Sequence, residues 1–245
     1  MNKLIKAEFY RVSHSGIFLK IFILVGLFPL VLPFTATADM EEINLHSILL
    51  IYAEMGGIIM TELVGIMLSS MISNMYQNRT YYYEIMDGAN THHIILSKLI
   101  VYSCISTVVL IIPAIITFAI AGNCYPIGDL KQLWLTVILG VVIILNFTCF
   151  TIFISMLIRH SLGGPILVYT LGMLPTFVYM LLSELSDKYK WVTDILSYIP
   201  QTQIMEFVKP EYETDFIVKV IGGFVVCFAV LYVLTYASYK KKNFK

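Results

Sequence analysis

Residues 133–158 contain no Asp, Glu, Lys or Arg, and neither do residues 99–121. A helix rises 1.5 Å per residue, so either run is long enough to cross a hydrocarbon core of about 30 Å. Four further apolar runs, 17–35, 48–75, 162–183 and 216–239, have the length of a span. The expected fold is therefore an all-α integral membrane protein, a single domain over 1–245 with six transmembrane helices. Composition agrees: 58% of residues are hydrophobic and 13% charged, with a mean hydropathy of +0.82. A soluble domain carries roughly twice that charged fraction. Pro29 and Pro33 predict an irregular exit from the first span, and Pro113 and Pro175 fall inside the third and fifth.

Residues 2–14 precede the first span. Leu4, Ile5, Phe9 and Val12 recur at helical spacing, with Lys3, Lys6, Glu8 and Arg11 between them. That pattern predicts an amphipathic elbow helix in the headgroup layer, its basic side chains reaching the lipid phosphates. The rival is a signal peptide, because 21–34 followed by Ala36-Thr37-Ala38 mimics an apolar region with a cleavage site. The acid and aromatics in its leading segment argue against cleavage.

Charge placement orients the chain. Six spans put both termini on one side, together with Lys3, Lys6, Arg11, Lys20, Arg79, Lys98, Arg159 and four terminal lysines. Those are eleven basic residues against five on the opposite side, which predicts cytoplasmic termini. Between spans five and six lies a long polar interval, 184–215. Its apolar patches on either side of Pro200 predict two short helices at the outer membrane surface.

Several chemistries have no motif here. There is no G-x-x-x-x-G-K-[ST], so nucleotide hydrolysis by a P-loop is not expected of this chain, which reads as no enzyme with no cofactor of its own. H-E-x-x-H is missing, His92 and His93 point to different helix faces, and Cys104, Cys124, Cys149 and Cys227 are scattered. No metal site is expected, and nothing suggests a nucleic-acid partner.

Two places carry polar residues where a passive anchor has none. The second span holds Glu54 and Glu62. At 100° per residue, Glu62, Ser69 and Ser73 fall close to one line, a polar stripe suited to a translocation path or a subunit interface. The bland alternative is a buried structural carboxyl, with Glu54 near the outer interface. The other place is the polar interval 74–98, NMYQNRTYYYEIMDGANTHHIILSK. Its residues 84–87 can form one helical turn in which Tyr82, Tyr83 and Met86 offer contact area beside Glu84 and Asp87. Gly88 then releases the chain, and Asn90-Thr91 can cap the next helix. Alternatively, the tyrosines simply anchor at the membrane interface.

Together these features resemble the permease subunit of a type-2 ABC transporter. The start MNKLIKAEFYRVSHSGIFLKIFILV is similar to that family's elbow helix and first span. In YQNRTYYYEIMDGANTHHIILSKLIV, Thr80, Asp87-Gly88, Thr91-His92 and Lys98 stand at the family's polar landmarks. Gln77 replaces the expected acid there and Arg79 the expected Gly. Length and start are most similar to the branch of bacterial bacitracin resistance, lantibiotic immunity and peptide export. The resemblance implies a bacterial plasma-membrane protein and a second permease chain, identical or related. It also implies a separate ABC ATPase that carries ATP and Mg, and export of a peptide or hydrophobic substrate. Tyr82, Tyr83, Glu84, Met86, Asp87, Gly88 and His92 would then form the coupling loop, and Gly163, Gly164 and the prolines the hinges. The competing reading is a non-transporting sensor or scaffold that binds peptides at its outer face.

Overall fold

The structure is a computed structural model that describes residues 1–36, 44–78, 80, 84, 86, 88–123, 125, 126, 128–158, 160, 162–185, 190–207 and 214–242. Among them every regular element is helical. The order is α1 (Asn2–Ser13), α2 (Gly16–Ala36), α3 (Leu45–Tyr52), a π-helical turn (Ala53–Gly57), α4 (Ile58–Gln77), α5 (Thr91–Ala121) and α6 (Leu130–Ile158). Then follow α7 (Gly163–Leu185), α8 (Lys190–Leu196), α9 (Pro200–Phe207) and α10 (Thr214–Lys242).

Five helices are long and apolar enough to cross a membrane: α4, α5, α6, α7 and α10. A sixth crossing is counted if α1 and the first part of α2, bent by 55° to one another, are taken together. The protein is thus an all-α, multi-pass membrane protein. The apolar runs locate these helices, and local signals fix their ends. Asn44 caps α3 by accepting from Ser47 N at 2.8 Å, and Asn90 caps α5 by accepting from His92 N at 3.2 Å. The cap on Asn90 starts α5 eight residues before the apolar run does, which draws Lys98 inside a helix. Gly88, at φ +74°, makes the turn just before that cap. Pro113 and Pro175 lie within continuous helices rather than at breaks. The one departure from α geometry in the long second span is the π turn, where an inserted residue widens the helix.

Helix α6 is the hub, packing most extensively on α10 and also on α4, α5, α7 and α9. Lipid tails are as apolar as the side chains, so helices associate here through close packing and polar contacts. Gly65 of α4 shows the closeness: a Cβ there would stand 2.6 Å from Phe147 Cζ of α6. The largest buried cluster joins Val12, Met71, Ile95, Tyr102, Phe153 and Tyr239. It places the C-terminal ends of α4 and α10 and the N-terminal end of α5 beside α1.

Two expectations change. Phe9 was grouped with the apolar face of the first helix, yet it is exposed while Glu8 is buried beside Val12. One turn separates Glu8 from Val12, so a buried face that includes Glu8 turns Phe9 away from it. The second concerns the two short helices after span five. They form on either side of Pro200, but α9 does not lie on a surface. Gln201, Thr202 and Gln203 are fully buried among α4, α6, α7 and α10, where the Thr202 hydroxyl donates to Ile199 O and the Gln203 side chain meets Asn146.

Candidate functional site

Two groups of charged and polar side chains are buried in the molecule, one at the α1 end and one along α4. The first begins with Glu8 and Arg11, three residues apart on α1 and in contact at 3.3 Å. Lys98 of α5, fully buried, donates to Glu8 Oε1 and, at 3.2 Å, to Glu84 Oε2 in the loop before α5. Arg11 also approaches Glu84 at 3.6 Å, and the Tyr102 hydroxyl donates to Glu8 Oε2 at 3.4 Å. Two carboxylates face two cations, so the cluster is neutral as a whole. Burial alone would raise the pKa of Glu8, but the Lys98 ammonium and Arg11 guanidinium outweigh it and hold the carboxyl below its ordinary range. Glu84 is pushed the other way. Burial raises it, Lys98 draws it back, and the negative charge of Glu8 leaves it above the ordinary range. Helix α1, Glu84 and α5 are therefore tied at one point.

Met86, two residues beyond the clamped Glu84, is 80% exposed. Gly88 reverses the chain behind it. His92 is half-buried and turned toward α10, with its Nδ1 2.6 Å from the Tyr232 hydroxyl and its ring stacked on Tyr236 at 4.2 Å. His93 is exposed. Of the coupling-loop residues named from the sequence, Glu84, Met86, Gly88 and His92 are placed, whereas Tyr82, Tyr83 and Asp87 lie outside the described residues.

The second group follows the stripe expected on the second span. Glu62, Ser69 and Ser73 are all buried on one side of α4. They face glycines of the antiparallel α7: a Cβ on Gly164 would overlap Ser73 Oγ and stand 3.0 Å from Ser69 Oγ. Eight residues on, a Cβ on Gly172 would overlap Glu62 Oε1 and stand 2.9 Å from Gln201 Nε2. Ser155 of α6 donates to Ser69 at 2.7 Å, closing the stripe on a third side. The Gln201 amide is the polar group beside the Glu62 carboxyl, which has no ion pair among the described residues, and Asn146 Oδ1 of α6 is likewise buried without a hydrogen-bond donor among them. Asn146 does donate to Gln203, at 3.3 Å. Glu54, in the π turn, is exposed and apart from this group. Gly163 and Gly164, expected as hinges, sit at the start of α7, where Gly164 supplies close approach to α4.

Sequence reasoning found the stripe on α4 but not what covers it, and it missed the clamp. Glu8 and Lys98 are ninety residues apart, and the only local signal was a lone acid on an apolar helix face and a lone lysine in an apolar run. The group formed by Gln201, Gln203 and Asn146 had no signal beyond polar residues flanked by apolar ones.

The fold and these two buried groups define a multi-pass α-helical membrane protein with an internal polar seam and a charge-clamped loop at one end. No protein-family model matches the chain, and no curated protein is similar to it.

Proposed function

We propose that this chain is the membrane-spanning subunit of an ATP-driven ABC exporter, joined to a separate ATPase through the loop 74–98. The observation that carries the reading is Met86. A large apolar side chain stands 80% exposed on a loop whose base is fixed by Glu84 to Lys98 and Arg11. Exposed apolar contact area on a firmly held base suits a force-bearing protein contact. Six spans, an N-terminal elbow and cytoplasmic termini complete the layout, in accord with the excess of basic residues on the α1 side.

In this reading the ATPase moves the loop tip, and the Glu84–Lys98–Glu8 clamp passes the displacement to α5 and α1 together. Met75, at the end of α4, contacts both Arg11 and Lys98 through its sulfur, so α4 is drawn along. Sliding of α4 on α7 then shifts the seam of Glu62, Ser69 and Ser73 over Gly164 and Gly172. Along that seam a peptide or hydrophobic substrate would leave the bacterial plasma membrane, with a second permease chain completing the path.

The test is capture. The full chain, tagged and solubilised from its own membranes, is expected to retain a subunit bearing a P-loop, and Tyr83→Ala with Met86→Ala to lose it while still inserting. Normal retention of that subunit by the double variant would place the contact elsewhere.

A further inference from the structure

Opposite α1, the bundle contains a cavity of about 560 Å³ between α3, the π turn, α5, α6 and α9. That is the size of a small-molecule pocket and far above the water-sized voids of close-packed interiors. Its walls are almost wholly apolar. Leu110, Ala114 and Phe118 form one side, and Val137, Val141 and Ile144 the other. The hydroxyls in the lining are already committed: Thr61 donates to Gly57 O at 2.7 Å, Thr136 to Gln132 O at 2.9 Å and Tyr52 to Leu110 O at 3.4 Å. Apart from the Trp134 indole N–H at its rim, the wall offers nothing to recognise a polar ligand.

Shape narrows the occupant further. On α5 the lining runs from Gly122, at the helix end, to Leu110. At 1.5 Å per residue that is about 18 Å, close to the roughly 15 Å depth of one leaflet's hydrocarbon. Ile115, Trp134 and Val137, all exposed, border the cavity and open it sideways to the membrane. Trp134 sits near the start of α6, at the level where an amphipathic indole favours the headgroup boundary. A slot of leaflet depth that opens laterally and reaches inward to Tyr52 and Met60 fits a flexible hydrocarbon chain. The convex face of a neighbouring helix does not reach so far.

We propose that this cavity seats one acyl chain of a membrane phospholipid in the leaflet opposite α1. The seat touches the working parts of the molecule. Ile204 and Phe207 of α9 line it, while Gln201 of the same short helix stands beside Glu62. An acyl chain therefore supports α9 from one side as the polar seam meets it from the other. The π turn forms part of the same wall through Ala53 and Gly57, so its widened backbone shapes the slot.

The test uses the full chain alone, reconstituted in phosphatidylglycerol–phosphatidylcholine vesicles with a trace of phosphatidylcholine bearing a diazirine midway along one acyl chain. After irradiation, label is mapped by peptide. It should concentrate on 111–118 and 134–144 relative to the exposed apolar stretch 225–234 of α10. Ala114→Trp, which fills the slot, should lower that labelling about tenfold, the loss expected once roughly two methylenes can no longer be seated. Val141→Trp, from the opposite wall, should do the same. Ile112→Trp, exposed on α5 but outside the lining, should change nothing. Label spread evenly over all exposed apolar positions overturns the proposal, as does unchanged labelling in both filled variants. A slot protected from lipid and cross-linked to a second copy also overturns it, in favour of a protein interface. No ATPase takes part, so the outcome is independent of the exporter reading.

Discussion

Glu8 and Glu62 are each 2% exposed, yet the fold treats them in opposite ways. Glu8 receives a buried ammonium, a guanidinium and a phenol, whereas Glu62 has no ion pair among the described residues and only the neutral Gln201 amide beside it. A fully paired buried acid holds elements together, and removing one partner strands the other. An acid buried without a counter-charge costs free energy in the state observed, and its placement calls for another explanation. Glu62 lies where α4, α7 and α9 meet, against a glycine that leaves no bulk between two helices. The comparison therefore assigns rigidity to the α1 end and displacement to the seam.

The largest effect should come from breaking the clamp. Lys98→Met leaves the Glu8 carboxylate buried without its main counter-charge and should cost about 3–5 kcal/mol, read as a lower melting temperature and reduced yield in detergent. Adding Glu8→Gln should recover much of the loss. A Lys98→Met protein as stable as the parent would put the clamp at the surface in energetic terms and remove the contrast with Glu62.

At the seam a smaller penalty is expected, and of different origin. Gly172→Leu drives a side chain into the position of the Glu62 carboxyl, at about 1–3 kcal/mol for an overpacked site. Glu62→Ala should relieve that cost, so the two changes should be clearly non-additive in a double-mutant cycle. Additive effects would mean that α4 and α7 do not meet through these two residues.

Acidification gives the finest distinction. Glu84, held above the ordinary carboxylate range, binds its proton more readily in the folded state, so docking of the loop gains slightly as pH falls through that window. Glu8 is held below the ordinary range. Its contribution is present above the unfolded value and is lost only as pH falls through its lower folded value. Hydrogen exchange should therefore show protection around residues 84–90 steady or rising before α1 loosens at lower pH. Loosening of α1 first would reverse the assigned roles of the two acids.

Much of the architecture was readable because membrane spans are written in continuous apolar runs: five of the six runs lie within or nearly coincide with one helix, while 48–75 is divided among α3, the π turn and α4. The stripe of Glu62, Ser69 and Ser73 was readable because helical arithmetic is local. What the sequence hid depends on distant chain. Nothing around Glu8 names Lys98 as its partner, and a Pro-Gln-Thr-Gln segment carries no mark of burial until α4, α6 and α7 surround it. The π turn was equally silent, since Ala53–Gly57 reads as ordinary helix.

The most direct test of the whole account is the accessibility of one position, Met86→Cys, in a chain whose Cys104, Cys124, Cys149 and Cys227 are replaced by Ser. A membrane-impermeant maleimide should fail to label it in intact cells, should label it in inverted vesicles, and should be blocked there by the proposed ATPase partner. Labelling from the cell exterior, or labelling unaffected by that ATPase, would contradict the proposal that this clamped loop is a coupling site.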